Sequence, residues 1–415
     1  MVLTENYNNI YNIINKLFLQ KEDLHMKKKL LALILCISMV AVLLAGCGGG
    51  SKDSGSADGG SEGANIKIGI IYIGDENEGY TASHMNGIHD AIKELGLSED
   101  DLIEKTNIPE DESAYDAAVD LAEQGCTIIF GTSFGHEDFL IQAASEYPEI
   151  TFCHATGYQA ASSGLENMHN YFDGIYQARY VSGVVAGLKL QDMINNGELT
   201  ADKCKIGYIG AFPFAEVISG FTAFYLGARS IVPEATMEVQ YTNSWADSSL
   251  EAETARALVS DGCVLISQHA DTTGAPSECE AMGVPCVGYN ISMLSVAPNS
   301  ALTSPTNYWH VYYKMAIEAA MSGDKLPTDW AGGYEVDAVG ITELGDSCAP
   351  GTQEKVDETI AALKDGSLHV FDITTFTVDG KQLEDSDYVY DGYFHESELA
   401  AAPSFDFIID GITAD

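Results

Sequence analysis

Four aromatic residues occupy loops that follow predicted buried strands of this chain, and their flat rings suit one kind of binding chemistry. They are Tyr80, Phe134, Phe212 and Trp245. Rings on facing loops can stack on both faces of a planar ligand. The alternative for each is packing within its own loop, which is the commoner role of a loop aromatic. We predict that these four rings line a ligand cleft.

Polar side chains follow the same strands and can hydrogen-bond to the edge of such a ligand. The candidates are Asn77, Asp247, Gln268, Asp271 and Asn290. Asp247 has a competing role, because it directly precedes a predicted helix that opens with Ser248-Ser249-Leu250-Glu251 and can cap it. The role of Glu216 stays open, because it either lines the cleft or bonds to a helix start. The roles of His154 and His269, which end strands, also stay open.

Two similar starts indicate the elements that position these residues. Residues 66–74 and 204–211 each form an apolar run containing Lys-Ile-Gly, and each continues through a loop into a helical pattern. Further strands, such as 127–131, 150–154, 237–241 and 263–268, alternate with helices. Alternation of this kind predicts parallel sheets covered by helices, with ligands bound at the carboxyl ends of the strands. We therefore predict two similar α/β lobes that face each other across a cleft.

The charge of the chain excludes some partners. Its 415 residues contain 20 Lys and Arg against 62 Asp and Glu, a formal net charge of −42. Such a field repels nucleic acid and anionic lipid headgroups, so nucleic acid is not an expected partner. Cysteines beyond residue 47 lie mostly in apolar strands, which favours small buried hydrophobes over a disulfide framework. Pairing of Cys279 with Cys286 is left open.

The first 65 residues have the pattern of an export leader and tether. Residues 1–25 are interpreted as an upstream extension, and 26–46 as a signal peptide with a basic start and an apolar run. Leu44-Ala45-Gly46-Cys47 resembles the lipobox of bacterial lipoproteins. That resemblance implies cleavage before Cys47 and attachment of lipid to its thiol. Residues 47–65 form a flexible Gly/Ser-rich linker behind the lipidated cysteine.

Motifs in 66–335 resemble the basic membrane protein, or PnrA-like, family of ABC-transporter substrate-binding lipoproteins. The matching segments are Asn77-Glu78-Gly79-Tyr80 with His84, Thr132-Ser133-Phe134-Gly135, Tyr147-Pro148-Glu149, Tyr176-Gln177-Ala178-Arg179-Tyr180 with Gly183, Phe212-Pro213-Phe214-Ala215-Glu216-Val217, Ser244-Trp245-Ala246-Asp247, Gln268-His269-Ala270-Asp271, Gly288-Tyr289-Asn290 and Leu302-Thr303-Ser304-Pro305. The order and spacing of these segments carry the resemblance.

The resemblance implies a type I periplasmic-binding-protein fold, in which two Rossmann-like lobes are joined by a three-crossover hinge and enclose the ligand cleft. On that basis 66–172 plus 304–328 are assigned to the N-terminal lobe, and 173–303 plus 329–415 to the C-terminal lobe. The implied function is capture of a purine nucleoside or base for an ABC permease and its ATPase. The implied location is the outer face of the cell membrane, through a lipid anchor. Asn290 stands where the family usually has an aspartate for ribose hydroxyls, which favours a free base or an altered ligand.

An enzyme and a surface sensor are the two alternative classes of function. An enzyme is not expected, because the sequence has no Gly-x-x-x-x-Gly-Lys-Ser/Thr loop and no His-Glu-x-x-His motif, and no cysteine pair has zinc-ligand spacing. No metal or cofactor is expected, and a nucleoside-processing enzyme is the least favoured alternative. A surface sensor of the same fold, binding a sugar or a riboflavin-like molecule, stays open.

Overall fold

The computed structural model describes residues 66–415. The predicted extension 1–25, signal peptide 26–46, lipidated Cys47 and linker 47–65 lie outside the described residues. Within 66–415, no helix combines the length and apolar character that crossing a bilayer requires.

The strands are β1 (Ile68–Ile71), β2 (Leu102–Lys105), β3 (Ile128–Gly131), β4 (Thr151–Ala155), β5 (Met168–Asp173), β6 (Lys205–Gly210), β7 (Thr236–Tyr241), β8 (Leu265–Gln268), β9 (Cys286–Val287), β10 (Pro305–Asn307), β11 (Asp329–Gly332), β12 (Val339–Ile341), β13 (Val389–Tyr390), β14 (Tyr393–Phe394) and β15 (Ile412–Ala414). The helices are α1 (Gly79–Leu95), α2 (Glu112–Glu123), α3 (Glu137–Glu146), α4 (Ala160–Ser163), α5 (Ile175–Asn195), α6 (Ala215–Arg229), α7 (Ser248–Ser260), α8 (Gly274–Met282), α9 (His310–Ser322) and α10 (Thr352–Lys364).

The first sheet has six parallel strands in the order β11-β5-β4-β3-β1-β2. Every residue of β1 and β3 is buried, because helices cover both faces of the sheet. On one face Leu121 of α2 and Leu140 of α3 pack against Phe152. On the other face Ile88 of α1 joins the core that contains Phe130. This is the predicted N-terminal α/β lobe.

The second sheet has five parallel strands in the order β15-β7-β6-β8-β9. Helices α5 and α6 cover one face and bury Tyr208, Phe221 and Phe224. Helices α7 and α8 cover the other face over Ile209 and Ile266. Two parallel sheets, each between two layers of helices, confirm the predicted α/β architecture of paired Rossmann-like lobes.

The chain passes between the two sheets three times. It leaves the first sheet after β5, returns between β9 and α9, and leaves again after β11. One boundary needs correction. Residues 329–332 were assigned to the C-terminal lobe, but β11 pairs with β5, with Asp329 beside Asn170. The third passage therefore follows Gly332, and only β15 of the C-terminal segment extends the second sheet.

Candidate functional site

A cavity of about 120 Å³ lies between the two lobes. The first lobe contributes Ile73, Gly74, Glu78, Tyr80, Thr132, Ser133, Phe134 and Thr156, and the second contributes Glu216, Trp245, Ala246, His269, Asp271 and Tyr289. The lining follows the carboxyl ends of β1, β3 and β4 in one sheet and of β6, β7, β8 and β9 in the other. Parallel α/β sheets place their ligands at this edge.

Tyr80 and Trp245 reach this cavity from opposite lobes. The Tyr80 hydroxyl donates to the carbonyl oxygen of Thr132 at 2.7 Å, which anchors the outer end of the side chain. Its edge-to-face contact with His84, 4.5 Å between centroids, supports it from behind. Trp245 is held by Phe212 in a T-shaped contact with a centroid separation of 5.2 Å. Contacts with neighbouring protein groups therefore position both rings.

An aromatic row crosses the boundary between the lobes beside the cavity. Phe134 stacks on Phe214 at 5.5 Å, and Phe214 stacks on Phe212 at 5.2 Å. Tyr158 extends the row at 6.1 Å from Phe134. Of the predicted rings in this row, Phe134 lines the cavity, whereas Phe212 lies one layer behind and supports Trp245. The row joins the lobes by ring contacts.

Two predicted polar residues shape the cavity from behind its lining. Asn290 is buried and left-handed at φ 62°, and its Nδ2 donates to Asp271 Oδ1 at 3.0 Å. The Gln268 side-chain amide donates to the carbonyl oxygens of Ala270 and Thr272 at 2.7 and 2.9 Å, so it holds the turn that presents Asp271. Both act on Asp271, which itself lines the cavity.

The structure does not bring Asn77 or Asp247 to the cavity lining. Asn77 is exposed, and its side chain donates to Asp75 Oδ1 at 2.9 Å. Asp247 Oδ1 accepts from the backbone N–H groups of Ser249 and Leu250, which makes it the N-cap of α7. The structure therefore shows the helix-capping role that was the alternative for Asp247. The N-cap of α7 is Asp247 and not Ser248, which the sequence pattern predicted.

Glu78 is a lining residue that sequence reasoning missed. Its two carboxylate oxygens accept from the N–H groups of Tyr80 and Thr81 at 2.6 and 2.9 Å, so it caps α1. A glutamate directly before a predicted helix indicates that its carboxylate caps the helix. It does not indicate that the carboxylate also lines a cavity. Tyr289, Thr132, Ser133 and Thr156 were also not singled out as ligand contacts.

Comparison with known proteins places this geometry in a family. Residues 67–365 match the family described as ABC transporter substrate-binding protein PnrA-like. The chain belongs to the PnrA-like family. Members of this family are substrate-binding proteins of ABC transporters rather than enzymes, and such proteins work with a membrane permease and its ATPase. The family predicted from sequence motifs is thereby confirmed.

Individual relatives of this PnrA-like protein carry different ligand names. A purine-binding protein of Brucella abortus is 33% identical over 313 residues, covering 74% of this chain and 83% of the relative. A Haloferax volcanii protein named for glucose binding in an ABC transporter is 31% identical over 320 residues, covering 76% of each chain. A nucleoside-binding protein of a Lactococcus lactis ABC transporter is 24% identical over 269 residues, covering 62% of this chain and 70% of the relative.

Solved structures support the fold. An ABC transporter solute-binding protein from Aeropyrum pernix superposes with a TM-score of 0.60 at 15% identity, covering 78% of this chain and 95% of that chain. One from Conexibacter woesei gives a TM-score of 0.59 at 20% identity, covering 73% and 98%. At identities of 15% and 20%, these similarities show a shared fold of two lobes.

A buried arginine lies behind the lining of this PnrA-like cavity. Arg179 of α5 is fully buried and donates from Nη1 to the carbonyl oxygen of Gln268 at 2.7 Å. Its guanidinium carbon lies 3.7 Å from the centroid of Tyr289, a cation–π contact. Arg179 thus braces Tyr289 and the strand that leads to Asp271.

Glu216 and His269, whose roles the sequence left open, both line the cavity and contact each other, with 3.2 Å between Glu216 Oε1 and His269 Nε2. Burial raises the pKa of Glu216 from 4.5 to about 7, and Arg179 opposes that rise. Burial, followed by the charge of Arg179, lowers the pKa of His269 well below its usual range. The pair therefore favours a neutral imidazole beside a carboxyl group that titrates near neutral pH.

Replacing Glu216 with glutamine is expected to change the pH dependence of stability. Because folding raises the pKa of Glu216, the folded chain holds this proton more tightly than the unfolded chain. The contribution of Glu216 to the free energy of unfolding is fully present below pH 4.5, and it is lost as the pH rises to about 7. Glutamine cannot titrate, so the variant should gain about 2 kcal/mol relative to wild type between pH 5 and pH 8.

Urea unfolding followed by circular dichroism at several pH values measures this difference. Glu354→Gln, at an exposed position of α10, is the matched control and should parallel wild type. A Glu216→Gln variant that also parallels wild type across this range would contradict the assignment.

Proposed function

We propose that this chain captures a purine in the cavity between its lobes and delivers it to an ABC permease. The observation that carries the proposal is the placement of Tyr80 and Trp245, from opposite lobes, on one narrow cavity. Aromatic side chains bind a planar heterocycle through its faces, and the polar lining can bind its edge. Sequence similarity to a purine-binding relative at 33% identity supports the same ligand class.

The size of the cavity favours a free base over a nucleoside. Its volume of about 120 Å³ is below the ~150 Å³ of an engineered cavity that holds benzene, so the lobes would have to open considerably to admit a ribose as well as a base. A ribose would need additional space and hydroxyl partners. Asn290, at the position where the sequence resemblance implies a ribose-binding aspartate, already donates to Asp271. We therefore expect the base to be the part of the ligand that the cavity encloses.

Ligand binding is proposed to stabilise the closed arrangement of the lobes. Gly79 N–H, at the start of α1, donates to the carbonyl oxygen of Asp271 at 3.0 Å, and this hydrogen bond joins the two lobes. A ligand that contacts both lobes binds the closed state better than an open one and shifts the population toward it. The permease can then distinguish loaded from empty protein by shape.

We further propose that the protein is held on the outer face of the membrane by lipid on Cys47. Two acyl chains give stable attachment where one chain is marginal. The Gly/Ser-rich stretch of 48–64 then separates the folded lobes from the bilayer. Metabolic labelling with a palmitate analogue, compared between wild type and Cys47→Ser, tests this part. Equal labelling of both chains would contradict it.

Thermal unfolding and calorimetric titration of the full-length protein test the proposed ligand. The panel contains adenine, guanine, hypoxanthine, their nucleosides, glucose and riboflavin. A purine base at 100 times its Kd should raise the free energy of unfolding by about 2.7 kcal/mol. Stabilisation by glucose or riboflavin with no response to any purine would contradict the proposal and favour a sensor or importer for another ligand.

A further inference from the structure

Tyr289 lines the inter-lobe cavity and carries a hydroxyl group that the protein does not use. The residue is 2% exposed, and its hydroxyl has no hydrogen-bond partner within residues 66–415. Buried hydroxyl groups nearly always have a partner, so this one points to a missing contact. The other four hydroxyl groups of the lining each donate to a protein oxygen, and they belong to Tyr80, Thr132, Ser133 and Thr156.

Two carboxyl groups of the cavity wall lie close enough to act on the Tyr289 hydroxyl. Burial raises the pKa of Tyr289, Arg179 opposes that rise, and the charges of Glu216 and Asp271 add to it. Ionised carboxylates can only accept hydrogen bonds, whereas a phenol can donate one. The wall therefore combines acceptors with one donor on neighbouring side chains. The edge of a purine carries N–H groups beside nitrogen or oxygen acceptors, so it can bond to both.

Arg179 supports the ring of Tyr289 and acts on its hydroxyl. The guanidinium carbon lies 3.7 Å from the ring centroid. Arg179 is itself fully buried, and its Nη1 donates to the carbonyl oxygen of Gln268 at 2.7 Å. A positive charge on the face of a phenol ring is attracted to the ring and draws electron density from it. Polarisation of this kind makes the O–H group a stronger hydrogen-bond donor.

We propose that the Tyr289 hydroxyl binds the ligand by donating a hydrogen bond to an acceptor on the purine edge. This assignment rests on the proposed function, because the ligand is the purine captured in the same cavity. The acceptor is a ring nitrogen or a carbonyl oxygen, and every purine base has at least one. The bond therefore serves the capture of purines as a class, and it makes no choice between amino and oxo derivatives.

Replacing Tyr289 with phenylalanine removes the hydroxyl and keeps the ring. The variant should bind adenine and hypoxanthine at least about tenfold more weakly than wild type, as measured by calorimetric titration of the full-length protein. Tyr334→Phe is the matched control. Tyr334 is 4% exposed, its hydroxyl also has no partner among the described residues, and it does not line the cavity. This control should bind both purines within about twofold of wild type.

Thermal unfolding without ligand checks that the hydroxyl is not used by the protein. Neither Tyr289→Phe nor Tyr334→Phe removes a hydrogen bond within residues 66–415, so both melting temperatures should match that of wild type. A clear drop for Tyr289→Phe alone would show that its hydroxyl has a protein partner, and would overturn the assignment.

Indole as a second probe separates the loss of a hydrogen bond from a change in cavity shape. Indole is a flat bicyclic molecule of purine size with an N–H donor and no acceptor at its edge. Its affinity should be the same for wild type and Tyr289→Phe, whereas the affinity for adenine falls. An equal loss for indole and adenine would show that the substitution acts through cavity shape, and would overturn the proposed bond. If indole does not bind, the contrast between Tyr289→Phe and Tyr334→Phe decides alone.

The outcomes for this residue and for the proposed function are distinguishable. Binding of adenine and hypoxanthine by Tyr289→Phe within twofold of wild type would overturn the role of the hydroxyl and leave purine capture intact. Failure of the wild-type protein to bind any purine would instead overturn the proposed function.

Discussion

Replacing Trp245 with alanine is expected to weaken purine binding by about 10- to 100-fold. Stacking of a base on an aromatic ring is worth about 1–3 kcal/mol by alanine substitution. The ring of Trp245 lines the cavity from the second lobe and is in T-shaped contact with Phe212. Its removal should cost the full stacking energy and also widen the cavity. Calorimetric titration with adenine, run on both proteins, measures the change.

Two control variants define what the effect means. Trp245→Phe keeps an aromatic face and should bind within about fivefold of wild type. Tyr158→Ala removes a ring that belongs to the aromatic row but is 55% exposed and outside the lining, so it should bind like wild type. If Trp245→Ala also bound adenine within twofold of wild type, the ring would have no part in ligand capture.

The aromatic part of the site could be predicted from the sequence for a geometric reason. Parallel strands of one sheet end at the same edge, so residues that follow them converge whatever their separation along the chain. Tyr80, Phe134 and Trp245 follow β1, β3 and β7, and all three line the cavity. Phe212 follows β6 by the same rule, but it packs against Trp245 and is not one of the lining residues.

Polar residues at the same edge were harder to assign, because a short carboxylate or amide has a second use there. Asp247 accepts from two backbone N–H groups at the start of α7, and Asn77 bonds to Asp75 within its own loop. Asn290 orients Asp271. Sequence pattern cannot separate such local bonds from ligand contacts, since both need the same residue types at the same strand end.

Strands at or near the sheet edges were also missed. The segment 329–332, Asp-Trp-Ala-Gly, has no apolar run that would mark a strand, and its partner β5 contains His169, Asn170 and Asp173. These polar groups are buried because tertiary contacts satisfy several of them: Asn170, for example, donates to Glu137 and accepts from Ala160 N–H. Long-range partners of this kind are not visible in the local pattern.

The site also depends on a close helix crossing beneath it. Helix α5 carries Arg179, and α6 has Glu216 in its first turn, so the packing of these two helices fixes both groups. A Cβ on Gly183 of α5 would overlap the carbonyl oxygen of Phe224 in α6. One on Gly187 would lie 2.7 Å from the carbonyl oxygen of Ala228. Backbone approaches backbone here, and no side chain can move aside to make room.

Replacing Gly183 with alanine is therefore expected to destabilise the protein by about 3 kcal/mol or more. At an unhindered helix interior the same change stabilises by roughly 1 kcal/mol. At this crossing the added methyl group must separate two helices, and overpacking of a rigid core costs about 1–3 kcal/mol or more. The sign of the change thus distinguishes close helix packing from intrinsic helix propensity.

Urea unfolding at fixed pH measures whether Gly183→Ala raises or lowers the free energy of unfolding. Lys189→Ala, at a half-buried position on the same helix, is the control and should stay within about 1 kcal/mol of wild type. Because α5 and α6 position Arg179 and Glu216, folded Gly183→Ala protein should also bind adenine more weakly than wild type. A Gly183→Ala variant as stable as wild type would contradict the close approach of α5 and α6, and with it their role in positioning Arg179 and Glu216.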